Sequence, residues 1–170
     1  MPRTLITGGI IINATASYRA DVLIDGEQII GIVKDATLMP GDRIIDATDC
    51  YVLPGLIDAH THIFLQGEDP DEGGYDVQLL KHHYSFRAAR ATVSVRRALE
   101  QGFTTLRDVE TEGAGYGDVG IKEAIDAGYI PGPRLFVVTR AISTTGGYPL
   151  EDYNPDVVVP KGAQLGDGPV

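Results

Sequence analysis

The chain has 170 residues, 43% of them hydrophobic and 22% charged, which is enough apolar material for a packed core and excludes a disordered tail. Its formal charge is −10, from 24 acidic against 14 basic residues, so it lacks the clustered Lys and Arg that a nucleic-acid backbone needs. The single cysteine, Cys50, rules out an internal disulfide and a cysteine-based zinc finger and fits a reducing compartment.

The first nineteen residues, "MPRTLITGGIIINATASYR", lack the long apolar stretch of a signal peptide, and no segment reaches the roughly 18 apolar residues of a membrane helix. A cytoplasmic protein with no membrane and no nucleic-acid partner is the expectation. Residues 3–53 read as short strands. "TLITGGIIINA" is β-branched and broken by Gly8-Gly9, and "RADVLIDGEQIIGIVKD" is a hairpin about Asp25-Gly26. "MPGDRIIDATDCYVL" adds a turn and two more strands. Residues 1–55 are therefore expected to form a small all-β module, thin for a free-standing domain and resembling part of a sandwich.

At Pro54-Gly55 the pattern changes. "LIDAHTHIFL" predicts a strand and "EDPDEGG" an acidic loop. "YDVQLLKHHYSFRAARATVSVRRALEQG" predicts one long helix ending at Gly102, with Arg87, Arg90, Arg96 and Arg97 on a solvated basic face. "FTTLRDVET" is a second strand, "VGIKEAIDAG" a helix closed by Gly128, and "PRLFVVTRAI" a third strand. From residue 143 the chain is rich in Gly, Pro and Asp, and a long loop is expected. Strands alternating with helices predict βαβ units and a parallel sheet. At roughly 30 residues per unit of a (β/α)8 barrel, residues 56–170 hold three units and an unfinished loop, so the chain reads as a fragment.

Strict alternation puts Asp58, His60 and His62 on one face of the first barrel strand, where two imidazoles can converge on one ion. The C-terminal mouth of such a strand is where catalytic groups collect. His82 and His83 are adjacent on a helix and point about 100° apart, so they are read as packing or surface residues. Thr105 and Arg107 share one face of the second strand and Asp108 takes the other. An ion pair or cap is the plain reading of Asp108, and support of the histidines from behind is the alternative.

The combination "VLPGLIDAHTH", the "ADVLIDGEQIIGI" hairpin before it, "GFTTLRDVET" and "GPRLFVVTRAISTTGGY" resembles the amidohydrolase superfamily, in its imidazolonepropionase-related branch with the Xaa-Pro and Xaa-Arg/Lys dipeptidases. The resemblance implies an α/β fold: the first three βα units of a TIM-type (β/α)8 barrel preceded by an incomplete small β-sandwich module. It implies a divalent metal cofactor, one or two Zn, with His60 and His62 among its ligands; Asp58, one step deeper on the same face, and Asp108 are the candidate supports behind them from the strand pattern alone. Relatives often place a substrate-contacting histidine after Thr-Gly-Gly; here that position is Tyr148, a candidate substrate contact. The remaining ligands and the proton-shuttling aspartate would lie beyond Val170, so no catalytic residue is assigned within the chain, which alone should be inactive. The implied function is hydrolysis of amide or peptide bonds in small molecules, foremost a dipeptidase acting through a metal-activated hydroxide on a dipeptide. A cyclic-amide hydrolase, a deaminase, and a non-catalytic module that pairs with another chain are the alternatives. Metal identity and oligomeric state, including a homo-oligomer, are left open.

Overall fold

The computed structural model describes residues 2–67, 71, 74–147, 154, 156, 158 and 162–169. The chain is mixed α/β and divides into two compact units, Met1–Pro54 and Gly55–Val170.

In the first unit, β1 (Thr4–Thr7), β4 (Asp21–Asp25), β5 (Gln28–Val33) and β6 (Arg43–Asp46) form a sheet in the order β5-β4-β1-β6. A second sheet, β3-β2-β7, joins β2 (Ile10–Ile12), β3 (Ser17–Arg19) and β7 (Tyr51–Val52). The expected hairpin is present: Asp25 pairs with Gln28 across a two-residue turn at Gly26-Glu27. Gly26 takes φ +57, the left-handed region that an Asp-Gly turn needs. Buried residues come from both sheets, Leu5 and Val22 from the first and Ile11 from the second. The first sheet also exposes Ile29, Ile32, Ile44 and Ile45.

The second unit is built on β8 (Leu56–Thr61), β9 (Phe103–Asp108) and β10 (Arg134–Val137), all parallel, in the order β10-β9-β8. Helix α2 (Tyr84–Glu100) connects the first pair and α3 (Gly117–Asp126) the second, as parallel pairing requires. One face of the sheet packs on these helices: Leu106 and Leu135 meet Ala91 and Val95 of α2 and Ile121 of α3. The other face leaves Ile57 70% and Phe136 55% exposed.

Three expectations are corrected. The long helix is two helices, α1 (Gly74–Leu80) and α2, separated at Lys81-His82-His83, where His83 is extended at φ −64 and ψ 148. Arg87 is fully buried instead of solvated; its guanidinium donates to the backbone oxygens of Phe64, Thr111 and Glu112. That inward anchor belongs to the packing of α2 on the strand ends, which a helix-periodicity argument does not contain. The segment expected to be a plain loop from residue 143 is entered through a short parallel pair, β11 (Ile142–Ser143) with β12 (Gln164–Leu165).

Gly55, where the fold changes character, has no room for a side chain. A Cβ there would lie 2.0 Å from Oγ1 and 2.3 Å from Cγ2 of Thr104. Gly55→Ala is expected to lower stability by about 2–3 kcal/mol through overpacking. Adding Thr104→Ala, which removes both atoms, should return part of that loss. Denaturant midpoints of the single and double variants check it, and an unchanged midpoint in Gly55→Ala would rule the clash out.

Candidate active site

The C-terminal ends of β8 and β9 gather most of the candidate residues. His60 lies on β8 and His62 one residue beyond it, and their rings meet edge to face with centroids 5.3 Å apart.

Asp58 lies where the pairing of β8 becomes irregular. Asp58 pairs with Leu106 and Thr61 with Asp108, so three steps along β8 match two along β9. The extra residue interrupts the strict alternation between Asp58 and Thr61. Its partner Leu106 belongs to the helix-packed face. Asp58 lines a cleft of about 240 Å³ with Thr61, His62, and Ser94 and Ala98 of α2. Its Oδ1 accepts the backbone N–H of His60 at 3.0 Å, pinning the irregular segment. Arg107 stabilises the same irregularity from β9, its Nε donating to Ala59 O at 2.8 Å while Thr61 Oγ1 donates to Arg107 O at 3.0 Å.

Asp108 is fully buried behind the histidine turn, and its Oδ1 accepts the Ile63 N–H at 3.2 Å. Its Oδ2 is a buried oxygen with no hydrogen-bond partner among the described residues. Burial pushes its carboxyl up to about 7; the Ile63 N–H opposes this, and the charges of Asp118, Glu112 and Glu110 add to it. Tyr148 lies outside the described residues. His82 sits at the α1–α2 junction, its ring edge on Phe86, and does not join the pair.

Sequence reasoning passed over the segment that follows β9. His62 Nδ1 lies 3.2 Å from Glu110 O and 3.3 Å from Glu112 Oε1. Tyr75 of α1 donates its hydroxyl hydrogen to Glu112 Oε2. Glu110 and Glu112 are both buried. The visible signal was the acidic alternation "DVETE" (108–112) at a strand end beside the histidine motif. Among the described residues, no group of three or more His, Cys, Asp and Glu side chains stands in metal-holding range. No helix among them is long and apolar enough to cross a membrane.

Comparison with known proteins bears on this arrangement. The chain is 30% identical to the D-hydantoinase of Streptomyces coelicolor over 129 residues, which is 74% of this chain and 24% of that protein. A prolidase structure complexed with N-methylphosphonate-L-proline superimposes with a TM-score of 0.76 at 26% identity, covering 98% of this chain and 41% of that one. A Xaa-Pro dipeptidase with methionine bound in its active site gives a TM-score of 0.75 at 30% identity, over 91% of this chain and 39% of the other. The chain is thus much shorter than the proteins it matches. The sequence model of the amidohydrolase family matches residues 51–169, well over half of the chain and the whole histidine-bearing region; the chain belongs to the amidohydrolase family.

Proposed function

We propose that the protein is a metal-dependent hydrolase of amide bonds in small molecules, a dipeptidase, whose first metal ligands are His60 and His62. In this reading Met1–Pro54 is the incomplete β-sandwich module and Gly55–Val170 carries the first three βα units of a (β/α)8 barrel. The observation that carries it is the pair of imidazoles 5.3 Å apart at the C-terminal end of a parallel strand. The exposed Ile57 and Phe136 on the sheet face away from the helices support it, because a barrel interior would cover them.

The donor set fits a divalent ion. Imidazole nitrogens suit zinc and its neighbours in the first transition series, and the buried carboxylates nearby favour positive charge. A bound ion supplies an acidified water and Lewis-acid polarisation of the scissile carbonyl. The chain's own residues set up that place. Asp58 holds the His60 amide, and Asp108 holds the amide of Ile63 just after His62, so carboxylates tie the backbone at both ends of the histidine pair. Two protein nitrogens fall short of the three ligands of a catalytic zinc site. We therefore infer that residues 1–170 alone do not turn substrate over and that the other ligands belong to the rest of the protein.

The dipeptidase reading draws support from the likeness to the prolidase and Xaa-Pro dipeptidase structures over nearly all of this chain. Cyclic-amide hydrolysis is the second reading, favoured by the identity to D-hydantoinase. Metal-loaded full-length protein should hydrolyse members of a dipeptide panel with varied C-terminal residues and lose that activity to a chelator. Chelator-insensitive hydrolysis, or turnover of a hydantoin with every dipeptide untouched, would remove the dipeptidase assignment.

A further inference from the structure

The surroundings of His62 are more specific than metal ligation by an imidazole requires. Its Nδ1 faces two acceptors, the Glu110 carbonyl oxygen at 3.2 Å and a Glu112 carboxylate oxygen at 3.3 Å. A nitrogen set against two acceptors carries the proton, which in a neutral ring leaves the lone pair on Nε2. The carbonyl is main chain and comes with any residue at position 110. The carboxylate depends on which residue occupies position 112.

Glutamate is a costly residue for position 112. Its backbone is left-handed at φ +52, a conformation that disfavours a Cβ by roughly 1–2 kcal/mol, and the residue is only 6% exposed. Glycine would relieve the backbone, and a polar surface residue would avoid the burial. The residue is nonetheless held from two helices, its carboxylate from one of them. Tyr75 of α1 donates to Oε2, and Arg87 of α2 donates to the Glu112 backbone oxygen at 2.8 Å. Strain, burial and two anchors all serve to aim one oxygen at His62.

We propose that Glu112, clamped by Tyr75, is a positioning residue that locks His62 in its Nδ1–H tautomer and fixes the ring so that Nε2 is the atom offered to the divalent ion. The metal half of this statement rests on the function proposed above; the tautomer half stands on the geometry alone. A carboxylate that merely filled space would alter stability without selecting between the ring nitrogens.

The test uses the full-length protein with ¹⁵N-labelled histidine, metal-free at pH 8, followed by zinc titration. Glu112→Gly removes the carboxylate and relieves the left-handed backbone, so the variant has a reason to stay folded. Glu112→Gln keeps an acceptor oxygen without the charge, and Tyr75→Phe removes the clamp. Wild-type His62 should show Nδ1 protonated and Nε2 bare. Glu112→Gly should shift it toward the Nε2–H form while His60 stays unchanged, and zinc affinity should fall 10- to 100-fold, the usual cost of losing such a partner. Glu112→Gln should keep the tautomer and recover most of the affinity, and Tyr75→Phe should fall between. An Nε2–H tautomer in the wild type, or a tautomer that Glu112→Gly leaves in place, overturns the proposal. A tautomer that shifts as expected, in a protein whose His62 takes up no zinc, upholds the lock and overturns the metal assignment instead.

Discussion

His60→Ala and His62→Ala are each expected to abolish stoichiometric metal binding by the full-length protein and to lower its amidase activity by on the order of 10³-fold or more, since a catalytic ion contributes several kcal/mol to the transition state. Folding should survive. His60 is exposed and His62 half-buried, so neither truncation opens a core cavity. His82→Ala and His83→Ala serve as controls, because both residues lie at the α1–α2 junction and neither belongs to the imidazole pair. Elemental analysis of the purified variants, beside activity and a melting curve, separates the outcomes. Wild-type metal content and activity in both strand variants would dispose of the assignment; loss of metal in the controls as well would point to a different site.

How much of this was legible beforehand depended on whether the cause was local. The hairpin at Asp25-Gly26 and the ends of α2 and α3 at Gly102 and Gly128 were readable because glycine's freedom at positive φ is a property of one residue. The strands of the second unit were readable from their spacing. The break at Lys81-His82-His83 was not, since neither Pro nor Gly marks it. It accompanies the anchoring of Arg87 under three carbonyls from distant loops, and no helical-face argument contains those carbonyls. The same limit governs the site. His-x-His announced itself, but alternation assumes that strands pair residue for residue, and the extra residue between Asp58 and Thr61 lies outside what alternation can read. Glu112 needed both a left-handed backbone at a non-glycine residue and a tyrosine 37 residues away, neither of which a local pattern encodes.

The second large effect belongs to Asp108. Its carboxyl is raised from 3.8 to about 7, chiefly by burial. Between about pH 4 and pH 7 the native chain therefore keeps a proton that the unfolded chain has released. Raising the pH through that window favours unfolding: the stability is fully present below about 4, declines, and is lost once the pH passes about 7. A rise from 3.8 to about 7 sets the scale at roughly 4 kcal/mol. Asp108→Asn keeps an oxygen for the Ile63 N–H at the same place and carries no charge, so its stability should not fall across this window for that reason. Histidines and other carboxyls titrate in the same range, but they are common to both proteins. The difference between the two curves isolates Asp108. Urea midpoints of the chelated proteins at pH 4.5, 6 and 8 are expected to nearly coincide at the lowest pH and to diverge upward, with Asp108→Asn the more stable at pH 8 by a few kcal/mol. Parallel curves would mean that Asp108 is ionised throughout. With the metal removed by the chelator, its buried Oδ2, without a hydrogen-bond partner among the described residues, would then need a donor or positive charge supplied by the protein or by solvent.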